Sequence, residues 1–467
     1  MIPALQQLFD SQQNKALTLR NSTYRERLQH LYALKVALLQ YEAELITAMY
    51  ADFRKPATEV KTTEFALIYK ELQWTTARLK SWMKPKKVDS SFPYMLGKSE
   101  LYREPKGRTL IISPWNFPIQ LAIIPLIGAI AGGNTVILKP SELTPNTSAV
   151  LEKMLHSAFK SEHICVVPGD AALATSLLAL PFDHIFFTGS TAVGKLVMEA
   201  ASKNLSEITL ELGGKSATII EESAALQDAV EKLIWAKTLN AGQSCVAPDY
   251  VLINQDMIPL FTEKLQSAYT TMFPYESWKT GMCSIVNQRH FERLNALITD
   301  ALAKGATLAF GGGKDENTRT LEFTVLTGVN RDMKIMQEEI FGPIVPLLGY
   351  RQLNDAINEV NAHDKPLALY LITKNNYVIQ KVKAETSSGA LTINDYQVHF
   401  TNPNLPFGGL NQSGIGKYHG KYSFDTFTHE KAIFRQLGWI NVNKLLYPPM
   451  GKMGQKTIWL LEKIFKR

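Results

Sequence analysis

Between residues 109 and 211 the chain alternates short apolar runs with helix-length segments, and few folds accept that rhythm. Runs at 109–112, 135–138, 164–167, 184–187 and 207–211 are too short for helices, and segments 117–131, 146–159, 171–180 and 191–204 separate them. A strand that is apolar on both sides needs cover on both faces, which predicts a parallel sheet layered between helices. In such sheets ligands bind outside the carboxyl ends of the strands. The predicted fold class is α/β. A second α/β unit is expected over about 213–389, with helices near 226–239 and 257–272 and strands at 250–253 and 345–348. Upstream, the first 83 residues place Leu28, Leu31, Tyr32, Leu34 and Leu38 at helical spacing. The stretch 85–97 breaks that pattern, a strand is expected at 99–103, and Pro105-Lys106-Gly107 ends it. Segment 390–416 is rich in Asn, Pro and Gly and reads as ordered loop.

Composition narrows the function. At 467 residues the chain suits two or three domains, and 45% hydrophobic with 20% charged residues is ordinary globular composition. Three cysteines build no disulfide framework, and the odd count points to a reducing compartment, so a cytoplasmic location is expected. The N-terminus lacks the basic and apolar regions of a secretory signal. The longest apolar stretch, 119–131, is broken by Gln120, Pro125 and Gly128 and is too short to span a bilayer. The net charge is +7, of which +5 falls within residues 441–467, leaving the body near neutrality. With no basic aromatic patch, nucleic acid is not an expected partner. The nine histidines do not cluster with Cys or carboxylates at ligand spacing, so no metal site is expected.

Four places can carry chemistry. In Phe187-Thr188-Gly189-Ser190-Thr191-Ala192-Val193-Gly194-Lys195-Leu196 a strand, a turn and a helix follow one another, which aims backbone N–H groups and a helix dipole at an anion. GSTAVGK fits seven positions of a P-loop, but Leu196 stands where a metal-binding hydroxyl is required, so nucleotide hydrolysis is excluded. A turn without a ligand is the alternative. Cys245 lies in a loop between Gly242 and Pro248, where N–H groups can approach an oxyanion. It is either a nucleophile or, like Cys165 and Cys283, a small buried hydrophobe. Glu211 ends a strand of the sheet, facing either the ligand crevice or the surface. Asn116, in Pro-Trp-Asn-Phe-Pro, either polarises a carbonyl or caps the following helix.

Taken together, PWNFP, LKPSE, FTGSTAVG, ELGGK, GQSC, EEIFGP and LPFGG occur in the order of the aldehyde dehydrogenase superfamily, and the chain resembles that family over roughly residues 5–450. GQSCVAPDY, NDYQVHF, LPFGGLNQSGIGKYHGKYSF and Leu446-Tyr447-Pro448-Pro449 look most like its class 3 branch of fatty, aromatic and coniferyl-type enzymes. Ser244 departs from the usual Thr by one methyl group. The resemblance implies a Rossmann-like NAD(P)-binding domain over 1–83 and 104–211 and a catalytic domain over 212–389. It implies bridging segments and an active-site loop at 84–103 and 390–440, and a basic tail at 441–467. It implies Cys245 as nucleophile, Asn116 and the Cys245 N–H as oxyanion donors, and Glu211 as the base that activates water. Lys139 and Glu142 are implied at the adenine ribose, Gly189, Ser190, Gly194 and Leu212 around the pyrophosphate turn, and Glu339 and Phe341 at the nicotinamide ribose. NAD is the expected cofactor with NADP tolerated, since Glu142 repels a 2′-phosphate and Lys139 offsets that repulsion. The implied reaction oxidises medium- or long-chain aliphatic or aromatic aldehydes to acids. Transfer of the acyl group to coenzyme A is the alternative, and it usually goes with loss of the base.

A homodimer is implied, joined through 99–103 and the segment after Lys431. Trp115, Tyr69 and the tail are candidates for the substrate funnel. In the tail, Ile458, Leu460, Leu461, Ile464 and Phe465 fall on one helical arc opposite Lys456, Lys463, Lys466 and Arg467, with Trp459 at the boundary. Such a helix suits peripheral contact with an anionic membrane or a position over the substrate entrance.

Overall fold

The computed structural model describes residues 3–91, 94–436, 443–444 and 447–466. Leu446 of the Leu446–Pro449 motif and Arg467 of the tail arc lie outside these.

The five predicted strands are present in one sheet, joined at one edge by a sixth that the pattern does not predict, Gly414–Ile415, in the order Gly414–Ile415, Glu207–Glu211, His184–Thr188, Arg108–Ile112, Thr135–Lys139, Ile164–Val166. All its pairings are parallel except the one made by Gly414–Ile415. From Arg108–Ile112 the chain winds outward through Thr135–Lys139 to Ile164–Val166. It then returns to lay His184–Thr188 on the other flank, so the winding direction reverses beside Arg108–Ile112. That reversal opens a crevice at the carboxyl ends, where a doubly wound sheet binds its ligand.

Helix Gln120–Gly132 covers this sheet with every residue buried. Full burial of each large aliphatic side chain contributes about 1.5–3 kcal/mol, and this is the most apolar layer of the domain. The helix starts three residues later than the pattern predicts because residues 115–119 are spent on a bend and a turn. The N-terminal region supplies helices Pro3–Arg20, Tyr24–Phe53 and Ala66–Trp82, with a π-helical turn at Lys61–Phe65. Thr23 and Glu26 form a capping box that starts the second of these.

The second unit is a seven-stranded sheet in the order Thr307–Phe310, Thr324–Thr327, Ile344–Tyr350, Tyr250–Asn254, Ala217–Ile220, Ala368–Ile372, Ala390–Ile393. The segment from 390 onward, read as loop, is corrected here: its first four residues form an edge strand parallel to Ala368–Ile372. A short, half-exposed edge strand between Ser-Ser-Gly and Asn-Asp has too little apolar contrast to stand out in sequence. Gly414–Ile415, in the same loop, crosses back to the first sheet. A third sheet joins Lys86–Val88, Lys98–Pro105 and Thr428–Arg435, all antiparallel, with Thr428–Arg435 at its edge. Helix Lys452–Phe465 follows in the tail, with Ile458, Trp459, Leu460 and Ile464 exposed. No helix among the described residues is long and apolar enough to cross a membrane.

Candidate active site

Glu211 and Thr188 end neighbouring strands in register with each other, so their side chains emerge side by side at the crevice. Ser244 and Cys245 approach from the second unit. Together these residues lie at a cavity of about 360 Å³. Its walls are mainly apolar: Leu67, Phe117, Leu121, Trp235, Phe400, Phe407 and Tyr418. Thr62, Thr63, Gln120, Gln397 and His419 add a polar fringe.

Burial sets the electrostatics of this floor. Glu211 is 2% exposed and neither carboxylate oxygen has a hydrogen-bond partner among the described atoms. Removing a carboxylate from water disfavours its charge, so the Glu211 carboxyl is pushed well above the usual range. The Cys245 thiol is pushed up to about 12, first by burial and then by the negative fields of Glu339 and Glu211; the N–H groups of Cys245 and Val246 oppose this. The resting sulfur is therefore a thiol, and attack requires a proton acceptor.

The loop that carries Cys245 is fixed backbone by backbone. Helix Leu226–Thr238 stops, and Asn240 and Ala241 take left-handed conformations, with φ of 53° and 50°. Gly242 follows at φ 70°, and a side chain there would collide with the main chain of Gly342. Gln243 ties the turn down: its side chain donates to Asn240 O and Ser284 O at 3.1 Å each and accepts from Val286 N at 3.0 Å. Asn116 joins the same knot. Its Nδ2 donates to Gln243 O at 3.1 Å, and its own carbonyl accepts from Asn240 Nδ2 at 2.9 Å. Asn116 is not the cap of the following helix, since Ile119 holds that position. An amide nitrogen carries two hydrogens, so one remains for a ligand.

A second carboxylate, the half-buried Glu339, acts on the sulfur through its field. Its carboxyl is pushed up to about 8 by burial and by Asp249, against the pull of the Gly214 N–H, Lys215 and Lys237. A side chain on Gly213 would strike this carboxylate, which explains glycine there. The loop around Glu339 is strapped down. Lys215 Nζ pairs with Asp249 and donates to Ile335 O and Glu338 O at 2.8 and 2.9 Å. Asp249 accepts from Ile340 N at 2.8 Å, and Arg293 donates to Glu338 Oε1 at 2.8 Å and Ile340 O at 2.6 Å.

The residues implied for the cofactor lie along the carboxyl edge of the first sheet. Lys139 Nζ donates to Glu142 Oε2 at 3.0 Å, a pair able to bond ribose hydroxyls. Ser190 caps helix Thr191–Ser202 by accepting from Val193 N at 3.4 Å, so this end already has a protein cap on one N–H while others stay available to phosphate. Gly189 has no room for a side chain against the Phe187 ring, and Gly194 none against Leu212. The buried Thr188 hydroxyl is without a partner among the described atoms. A lysine–glutamate pair able to bond hydroxyls, a helix N-terminus and an unpartnered hydroxyl on one edge fit a dinucleotide. Phe341, at φ 52°, meets Trp115 edge to face at 5.4 Å.

Cys245, Glu211, Asn116 and Glu339 thus converge, and Lys139, Glu142, Gly189, Ser190, Gly194 and Leu212 share the sheet edge. Two funnel candidates do not. Trp115 packs against His290 and Phe341, and the Tyr69 hydroxyl turns away to Glu42 at 2.7 Å. The walls come instead from residues that sequence reading passed over: Trp235 on a helix, Phe400 and Phe407 in the Asn- and Pro-rich loop, and Tyr418. The aromatics at 396, 400 and 407 inside a polar loop were the available signal. Among the described residues no group of three or more His, Cys, Asp or Glu is arranged to hold a metal ion.

Comparison with known proteins gives one answer. The family model described as "Aldehyde dehydrogenase family" matches residues 5–433. The 4,4′-diaponeurosporen-aldehyde dehydrogenase of Staphylococcus aureus is 43% identical, over 95% of each chain. Mouse aldehyde dehydrogenase family 3 member A2 is 41% identical over 94% of this chain and 90% of its own. The substrate-bound Staphylococcus aureus AldH structure superposes with a TM-score of 0.93 at 40% identity, covering 97% of this chain and 99% of that one. The chain belongs to the aldehyde dehydrogenase family and is an NAD(P)-dependent oxidoreductase that acts on small aldehydes.

Proposed function

We propose that this enzyme oxidises medium- or long-chain aliphatic and aromatic aldehydes to carboxylic acids through a covalent cysteine intermediate. One observation carries the reading: Cys245 and Glu211 share the floor of one mainly apolar cavity. The Cys245 sulfur bonds to the aldehyde carbon, and its proton passes to Glu211, whose raised pKa suits it to take one. The carbonyl electrons move onto oxygen, where the free Asn116 N–H and the Cys245 N–H receive the oxyanion; one such donor is worth about 3–4 kcal/mol. Bound NAD(P) would supply the hydride acceptor for that carbon, whose oxidation leaves the acyl group on Cys245 as a thioester. Lys139 and Glu142 would hold its adenine ribose, the 189–194 turn its pyrophosphate, and Glu339 its nicotinamide ribose. Glu211, having released that proton to solvent, then takes one from water, which adds to the thioester carbon and expels the thiolate; the same proton returns to the sulfur as the acid leaves. A carboxylate beside the thioester is the reason hydrolysis, and not transfer to coenzyme A, is the product step. NAD is the preferred form because Glu142 stands where a 2′-phosphate would add charge.

The domains divide as 1–83 with 104–211, and 212 onward extended to 393. The open edge at Thr428–Arg435 is a template for strand pairing and supports a homodimer through the third sheet. The exposed apolar side of Lys452–Phe465, flanked by Lys456 and Lys463, supports peripheral contact with an anionic membrane from a reducing, cytoplasmic side.

The test is stoichiometry. Hexanal, dodecanal and benzaldehyde should each give one NADH and one carboxylate per aldehyde without coenzyme A. A requirement for coenzyme A, or turnover confined to short polar aldehydes, overturns the reading.

A further inference from the structure

The segment that supplies one wall of the cavity also buries charge that the chemistry above leaves unused. Lys55 and Glu64 are fully buried, with Nζ and Oε1 3.5 Å apart, and Glu59 Oε1 stands 4.0 Å from the same Nζ. A buried cation with two carboxylates is costly unless hydrogen bonds complete the group. Those bonds go to two particular places. Glu64 Oε2 accepts from the Gln120 N–H at 2.6 Å, at the start of the helix that follows Asn116. Glu59 Oε1 accepts from the Asn240 N–H at 2.7 Å, in the left-handed turn that leads to Cys245. Asn240 in turn donates to Asn116 O and Gln243 O at 2.9 Å each, and Gln243 O is also the acceptor for Asn116 Nδ2. Lys55 Nζ lies 4.1 Å from the centre of the Phe117 ring, next to Asn116. The π-helical turn Lys61–Phe65 lets Thr62 and Thr63 line the cavity while Glu64 is buried behind them. Single π-turns recur at functional sites.

We propose that Lys55, Glu59 and Glu64 are positioning residues that set the distance between the Asn116 amide and the Cys245 N–H. The cluster clamps the two segments that carry these donors, 116–120 from the first unit and 240–245 from the second. The inference rests on the roles given to Asn116 and Cys245 above. Glu59 is the sharpest point to probe, because its charge-assisted bond is what holds the Asn240 N–H. Misplacing a donor by about 1 Å costs on the order of 10²-fold in rate.

The experiment compares Glu59→Ala and Glu59→Gln in the full chain. Glu59→Ala is expected to slow single-turnover NADH formation with benzaldehyde by about 30–300-fold while KM for NAD stays within about twofold. Glu59→Gln keeps an acceptor oxygen and is expected to recover to within about fivefold of wild type. Alkylation of Cys245 by iodoacetamide forms no oxyanion, so its rate in Glu59→Ala should stay within about twofold of wild type. If Glu59→Ala does not fold, Glu59→Asp, which keeps the charge but falls one methylene short, takes its place. Wild-type single-turnover rates in the short variant, no rescue by Gln, or alkylation slowed in step with oxidation each overturn the proposal. Failure of the underlying reading has a different signature: Cys245→Ala would then still oxidise aldehyde.

Discussion

Two carboxylates, the buried Glu211 and the half-buried Glu339, act on one sulfur, and the molecule treats them in opposite ways. Glu211 projects into an apolar cavity with neither oxygen bonded among the described atoms. Glu339 belongs to a loop that Lys215, Asp249 and Arg293 hold through main-chain carbonyls and an N–H. Both are raised above the ordinary carboxylate range, chiefly by burial. The difference lies in freedom. A carboxyl that must take and release protons keeps its oxygens unengaged, whereas one that must define a position is surrounded by fixed neighbours.

Substitutions can break this contrast in order of size. Cys245→Ala removes the atom both carboxylates face, and NADH formation should fall by about 10⁴-fold or more while NAD still binds; a surviving rate would detach both residues from the chemistry. Glu211→Gln should lower both the NADH burst rate and steady-state turnover by about 10²–10³-fold, since attack by Cys245 and addition of water both wait on this base. The same change should raise the unfolding midpoint by about 1–3 °C at pH 8. The sign follows from linkage: a carboxyl with a folded pKa above its unfolded one binds more protons when folded, so stability declines as pH rises from the unfolded value through the folded one. The gain should therefore shrink toward pH 4.5. A destabilised Gln variant would mean that Glu211 has a partner after all.

Arg293→Lys tests the restrained carboxylate. A lysine cannot reproduce the fork that holds Glu338 and Ile340 together, so KM for NAD should rise about 5–10-fold with burst amplitude kept. The smallest effect should come from deleting residues 452–467. Benzaldehyde kinetics should shift by less than about threefold, while co-sedimentation with vesicles containing phosphatidylserine should drop several-fold. Unchanged sedimentation would remove the tail from membrane contact.

Much of this was legible beforehand because it rests on short-range rules. Apolar runs separated by helices predicted five of the first sheet's six strands, and a carboxylate at a strand end offered the crevice as one of two settings for Glu211. What escaped depended on distant segments meeting. Ala390–Ile393 is a strand only because Ala368–Ile372 lies beside it. The Asn240–Ala241 turn has no glycine to announce two left-handed residues; Glu59, 181 positions away, holds it. Trp115 was an attractive funnel residue in a motif, yet packing turns it onto Phe341.

The walls of the cavity have a further consequence. They are drawn from separate stretches around 62–67, 117–121, 235–239, 397–407 and 418–419, whereas Cys245 and Glu211 stand on a knotted turn and a central strand. A point mutation at Trp235, Phe400 or Phe407 can add or remove a ring without touching the segments that carry the reaction. Substrate range is in this sense the evolvable part of the enzyme, free to drift one side chain at a time while the chemistry stays inherited.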